Sequence, residues 1–274
     1  MKINVAVMER ATGTVTQITI QGTRPDGLAV GESHVAWVED EQVDEDIYLA
    51  DLETGAITPI ANSDVLCESG PDMSDGKLVW MQSDGVATDI VLHDMASGTT
   101  RVLTDGTRSR LVPRVGGDWI VWDDFTNRID DIFAYRISDG RVVQLTDEPS
   151  TSQRGPDTDG NTVVWGDSRG DGSDIGIYDL ETERFRLVER PGAQGNVRAS
   201  GRWIIYEDAR GAPSGVTDAR ARLYVYDLVA EKEYVLPAVQ PFLRSLDAEI
   251  HGNRVVWRDG RAPEDEPYAF DLKG

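Results

Sequence analysis

Residues 162–188, TVVWGDSRGDGSDIGIYDLETERFRLV, read as strand, loop, strand, turn, strand. Residues 162–165 are β-branched and aromatic, and residues 166–173 are a Gly/Asp/Ser/Arg loop. Residues 175–178 form a second short strand, Asp179-Leu180-Glu181-Thr182 a tight turn, and residues 185–188 the return. Strand and turn signals at this spacing predict an antiparallel meander. The pattern recurs along the chain. An aromatic residue follows two strand-forming positions at Trp37, Trp80, Trp122, Trp165, Tyr206 and Trp257, at spacings of 43, 42, 43, 41 and 51. Nine residues after the first four of these anchors stand Asp46, Asp89, Asp131 and Asp174, opening DIYLADL, DIVLHDM, DIFAYRI and DIGIYDL. Two further copies are LYVYDL from Leu223 and EPYAFDL from Glu266.

A repeat of this length with four short strands is the sequence form of a propeller blade. Six anchors predict an all-β, six-bladed β-propeller with four-stranded antiparallel blades. No linker divides the chain, and one meander cannot bury both faces alone, so residues 1–274 are expected to be a single domain. Gly13 aligns with Gly55, which makes the N-terminal segment a third-plus-fourth strand pair. The ring is therefore expected to close through N-terminal strands, with residues 14–20 completing the blade of Trp257. This leaves seven candidate third strands for six blades; residues 3–7 and 268–272 compete for the extra place.

The chain carries 49 acids against 27 bases, a net charge of −22, and all its bases but Lys2, Lys77, Lys232 and Lys273 are arginines. So acidic a surface argues against nucleic acid and anionic membranes as partners. It suits solubility or a salty environment, and alternatively cation binding. No window approaches the roughly 20 apolar residues that cross a bilayer. Met1-Lys2 leads into strand-like INVAV, with no export signal. Cys67 is the one cysteine, so no internal disulfide forms.

WGDSRGDGSDIGIYDLETE, WDDFTNRIDDIFAYRISDG and WVEDEQVDEDIYLADLETG resemble the WxDxRxxxxDIYxYDLxTG repeat of TolB-like propellers, closest to repeats in archaeal and bacterial surface proteins. Arg169, Arg210 and Arg261 match the arginine of that repeat, while Glu41, Asp84 and Thr126 depart from it. The resemblance implies a six-bladed, usually exported binding scaffold, extracellular, periplasmic or at the cell surface. A native start at Met1 would instead place it in the cytoplasm.

Three constellations are candidates for chemistry. Two residues after the anchors stand Glu39, Gln82, Asp124, Asp167, Asp208 and Asp259. With Arg169, Arg210 and Arg261 they are expected to pair between neighbouring blades. Asp167, Asp171 and Gly172 partly match a calcium loop, but Arg169 supplies no oxygen, and no metal is expected. On the first strands, eight residues before the anchors, stand Ala29, Asp72, Arg114, Asp157, Arg198 and Glu249. Their neighbours are mostly apolar, so alternation turns the charged set to the channel and the apolar set between blades. The charged set reads either as a self-neutralising plug or as a polar site. In the returns between blades, Arg24, Glu68, Arg110, Arg154 and Arg244 surround one opening. The arginine fork suits carboxylate, sulfate or phosphate, so this set reads as an anion-binding rim or as scattered solvated arginines.

Nucleophilic catalysis has little support. His34, His93 and His251 do not converge, and Cys67 has no histidine placed to activate it. The loop of residues 208–222 is about seven residues longer than its counterparts and reads as a tolerated insertion or a partner-contacting lid. The leading expectation is a monomeric, non-enzymatic binding module without cofactor, taking a protein, glycan or small anionic ligand on its loop face. The alternative is a lyase or hydrolase acting on an acidic glycan or other carboxylate, with Asp72, Asp157 or Glu249 as acid or base.

Overall fold

The computed structural model describes residues 5–9, 11–18, 24–40, 45–126, 129–169, 172–208, 210, 222–236, 248–259 and 266–273, the side chains at 24–26, 40, 126, 258–259 and 266–267 excepted. No helix occurs among the described residues. The fold is an all-β, six-bladed propeller of antiparallel blades, four-stranded as a rule. Contacts divide the chain into two compact units, Met1–Gly116 and Gly117–Gly274.

The first unit opens with the hairpin β1 (Val5–Met8) and β2 (Val15–Ile18). The first blade follows as β3 (Arg24–Val30), β4 (His34–Asp40), β5 (Glu45–Asp51) and β6 (Ile57–Ala61). The second is β7 (Cys67–Ser74), β8 (Lys77–Ser83), β9 (Thr88–Asp94) and β10 (Thr99–Val102). The unit ends on β11 (Arg110–Gly116), the first strand of the third blade. The second unit takes that blade up with β12 (Trp119–Thr126), β13 (Ile129–Arg136) and β14 (Val142–Gln144). The fourth blade is β15 (Gln153–Asp159), β16 (Thr162–Asp167), β17 (Asp174–Asp179) and β18 (Arg184–Val188). The fifth is β19 (Gln194–Ser200), β20 (Trp203–Asp208), β21 (Arg222–Asp227) and β22 (Lys232–Val235). The last is β23 (Glu249–His251), β24 (Arg254–Asp259) and β25 (Glu266–Asp271).

Every anchor lies on a second strand and is almost wholly buried. The core sits between successive sheets. Ala36, Ile47 and Leu49 of the first blade pack with Met73, Leu78 and Trp80 of the second. In the other unit, Val164, Ile175 and Ile177 pack with Val197, Ile204 and Tyr206. Within each unit successive blades thus bury facing sides on one another, as a repeat architecture requires.

Both competitors for the extra third-strand place are strands. β25 takes that place on β24, while β1 pairs with β2. Among the described residues the last sheet has three strands, and β2 pairs with β1 alone. The segment expected to complete the blade of Trp257 belongs to the first unit, and its residues 19–20 lie outside the described residues. Within that unit the hairpin lays Val5 and Ile18 on Val35, Trp37 and Ala50 of the first blade.

The expected alternation on the first strands holds for most of them, since Met73, Val115, Val197, Ala199 and Ala248 are buried. β3 departs from it. Ala29 is buried in the cluster with Ala36 and Met73, whereas Leu28 and Val30 are 60% and 63% exposed on the first unit. A methyl group is small enough to pack flush where the other strands carry a charged side chain.

Candidate functional site

The first strands carry the charged residues toward the middle of the blades. Four of the first-strand ladders shift register near their start, at Asp26/Ala29, Ser69/Asp72, Arg154/Asp157 and Gly195/Arg198. Such a bulge bends the strand and re-aims the side chains that follow. Immediately after it, Asp72 accepts the Val115 N–H at 2.7 Å, and Asp157 accepts the Ala199 N–H at 2.7 Å. Each carboxylate thereby stitches its own first strand to the next one. Arg198 donates from Nε to Glu249 at 3.1 Å and from a terminal nitrogen to the Val197 carbonyl at 2.9 Å. Arg114 donates to the Pro113 carbonyl at 3.3 Å. Asp72, Asp157 and Arg198 thus link strands within their units, while the Arg114 bond stays within its own strand.

The arginines of the returns divide. Arg110 is only 5% exposed. It donates to Asp105 at 2.7 Å and to Asp89 at 3.3 Å, so it staples its strand to the preceding blade. The Asp105 carboxyl, hydrogen-bonded by Thr107 and then by Arg110, is held down at about 2. Arg154 also reaches back, its Nε donating to the buried carboxylate of Asp130, but its side chain is 65% exposed. The next N–H, of Gly155, donates to Asp123 at 3.1 Å, so Arg154 is braced on both sides. Glu68 is buried. The Arg24 side chain and Arg244 lie outside the described residues. The described part of the expected rim is thus one enclosed arginine and one presented arginine.

Two residues escaped the sequence reading. Glu68 lies opposite Gln82, Gln153 opposite Asp167, and Gln194 opposite Asp208. This buried register position therefore holds Gln153 and Gln194, with Arg154 one residue beyond it. Gln194 donates to Asp208 at 3.2 Å and Gln153 to Thr151 at 2.9 Å. Both stand twelve residues before their anchors, as Glu68 and Arg110 do, so a fixed count from the anchor would have found them where selection by charge did not.

The carboxylates two residues after the anchors serve their own blades. The indole of Trp37 donates to Glu39 at 2.7 Å and that of Trp165 to Asp167 at 3.2 Å. Arg169 clasps Asp167 from Nε at 2.8 Å and from a terminal nitrogen at 2.7 Å. Burial pushes the Asp167 carboxyl up, but the Arg169 and Trp165 hydrogen bonds outweigh it and leave the group below its ordinary value. Arg210 pairs likewise with Asp208, and also with Glu233 at 2.8 Å. The expectation that Asp167 and Asp208 pair between blades is corrected, because an arginine two residues on folds back within one turn of loop. Arg169 does reach Glu148 at 3.5 Å, and Arg190 reaches Glu233 at 2.8 Å across two blades. Asp171, Arg261 and most of the long loop lie outside the described residues, as does the Asp259 side chain.

His34 contacts Ser33 at 2.8 Å, and His93 contacts Thr100 at 2.8 Å. Burial lowers the pKa of His93 against the opposing charge of Asp94. Cys67 is exposed. Among the described residues no group of three or more His, Cys, Asp or Glu could hold a metal ion.

No protein-family model matches this chain, and no curated protein matches it. Solved structures do. An oligogalacturonate lyase in complex with manganese superposes with a TM-score of 0.74 at 12% identity, covering 98% of this chain and 83% of that one. The β-propeller domain of the Trilobed protease from Pyrococcus furiosus gives 0.68 at 14% identity, covering 98% and 85%. A putative TolB from Agrobacterium tumefaciens gives 0.61 at 12% identity, covering 99% and 98%. At such identities the likeness is one of fold, and the fold it supports is the TolB-like β-propeller.

Proposed function

We propose that this chain is a non-enzymatic binding module that takes a partner or an anionic ligand on its loop face. The observation that carries the reading is Arg154. Its Nε rests on buried Asp130, the following N–H rests on Asp123, and most of the guanidinium faces solvent. A fork fixed in this way meets a carboxylate with little further ordering, which lowers the entropy cost of binding. Export or surface attachment goes with the resemblance to TolB-like repeats, and a monomeric state is part of the same proposal.

The catalytic alternative, a lyase or hydrolase on an acidic glycan, draws its support from the fold it shares with the oligogalacturonate lyase. The carboxylates it would need as acid or base weigh the other way. Asp72 and Asp157 hold backbone N–H groups, and Glu249 is paired with Arg198.

The test is calorimetric titration with citrate. Arg154→Gln should weaken binding about tenfold, the loss of one charge-assisted contact. Arg154→Lys keeps a cation on Asp130 and loses the fork, so it should weaken binding by less. Equal affinities in all three proteins would remove Arg154 as the site.

A further inference from the structure

Each first strand from β3 to β19 opens with one residue in the left-handed backbone region. In β3, β7 and β15 it is Gly27, Gly70 and Gly155, at φ 52°, 61° and 61°, and in β19 it is Asn196 at 48°. In β11 it is Val112, at φ 52°. A β-branched residue is an outlier there, because its Cβ substituents crowd the backbone carbonyl. Pro113 follows and restricts the residue before it further. Two other blades meet the same bend before a proline with glycine, at Gly70-Pro71 and Gly155-Pro156. A Cβ built on Gly155 would meet nothing within 4 Å, whereas one on Gly70 would lie 2.8 Å from Met81 and one on Gly27 3.2 Å from Pro71. Where the bend has room, as at Gly155, the penalty for carrying a side chain lies in the backbone.

Strain retained at a position where glycine would relieve it points to a use for the side chain. The surroundings indicate which use. Residues 108–114, RSRLVPR, hold three arginines and no acid in a chain of net charge −22. Leu111 and Arg108 are exposed, and Val112 and Arg114 are half-buried. Arg110 is turned inward onto Asp89 and Asp105. Leu111 and Val112 thus stand between Arg108 and Arg114 in the chain.

We propose that Leu111 and Val112 form the apolar half of a binding site on the first unit for a small amphipathic anion. The apolar body lies against the two side chains, and the acid group faces Arg108 and Arg114. Val112 keeps its strained backbone because glycine would remove the contact. The site is independent of Arg154, and neither reading depends on the other.

The probe is 8-anilinonaphthalene-1-sulfonate, an amphipathic anion whose emission rises on binding. Wild type should bind it saturably. Val112→Gly should melt roughly 2–4 °C higher, because the strain is relieved. The same variant should bind the dye at least about threefold more weakly. Val112→Asn, which tolerates the left-handed region, should behave in the same way. Leu111→Ser should weaken the dye without raising the melting temperature. Arg154→Gln should bind the dye as wild type does, so failure of the citrate titration leaves this site standing. The proposal is overturned if wild type does not bind the dye, if Val112→Gly binds it as tightly as wild type, or if that variant is not stabilised.

Discussion

The aspartate nine residues after an anchor performs one task in four blades. Asp46 accepts from Asn62 at 3.1 Å, Asp89 from Thr104 at 2.5 Å, Asp131 from Thr146 at 3.0 Å, and Asp174 from the Arg190 N–H at 2.9 Å. In each case the start of a third strand is tied to the end of the fourth. Recurrence of an acidic residue with the repeat is therefore the mark of a clamp, and no ligand is needed to account for it. Asp131 is the strained member of this set. Burial raises its pKa, Thr146 opposes that, and the charges of Asp147, Asp124 and Asp130 raise it again. A carboxyl raised in the folded state adds stability that is present below its unfolded value and is lost as pH rises through the folded value. Asp131→Asn keeps an oxygen for Thr146 and removes the charge. Its melting temperature should match wild type in acid and exceed it increasingly above the ordinary carboxylate range. A constant difference from acid to neutral pH would mean that the charge is relieved some other way.

The blade shows the same economy in four copies and departs from it in two, Trp80 facing Val91 and Trp165 facing a glycine. The anchors Trp37, Trp122, Tyr206 and Trp257 stack on the aromatic residue directly across the sheet, Tyr48, Phe133, Tyr224 and Tyr268, with ring centroids 5.7–6.0 Å apart. Across from Trp165 stands Gly176. Trp165 stacks instead on Phe185, 5.7 Å away on the fourth strand, with the Arg169 guanidinium 4.7 Å from that ring. A Cβ on Gly176 would lie 2.2 Å from the indole of Trp165. Gly176→Ala should therefore cost about 1–3 kcal/mol, the usual range for overpacking. Urea denaturation would read it as a lower midpoint at unchanged slope, and an unchanged midpoint would mean the indole can move aside freely. Spacing and alternation made the second and third strands of every blade legible, because aromatic and β-branched residues recur there with period two. The first-strand charges were legible in position, and Arg198 with Glu249 also in partner, whereas the backbone partners of Asp72 and Asp157 were not. Selection by charge took exposed Arg154, eleven residues before its anchor, and passed over buried Gln153, twelve before it.

At the scale of the molecule, stability is shared among faces between neighbouring sheets, so the ends of the repeat array matter most. The N-terminal hairpin was legible as a third-plus-fourth strand pair, because Gly13 matches Gly55. Which segment takes the third-strand place on β24 was not. Two sequences competed for one third-strand place, and hydrogen bonding to a strand edge depends on the backbone, which composition does not encode. In the first unit β1 and β2 bury Val5 and Ile18 on Val35, Trp37 and Ala50, giving the first blade the apolar cover that a neighbouring blade gives elsewhere. Each such side chain contributes about 1.5–3 kcal/mol when buried. Losing both, and uncovering Trp37, removes several of the roughly 5–15 kcal/mol that hold a domain together. Deleting residues 1–20 should thus lower the melting temperature by on the order of 10 °C and expose apolar surface that aggregates. Ile18→Asn keeps the chain length and should produce about half of that shift. A truncated protein that stays monomeric and melts with wild type would show that the first blade holds its core without the hairpin.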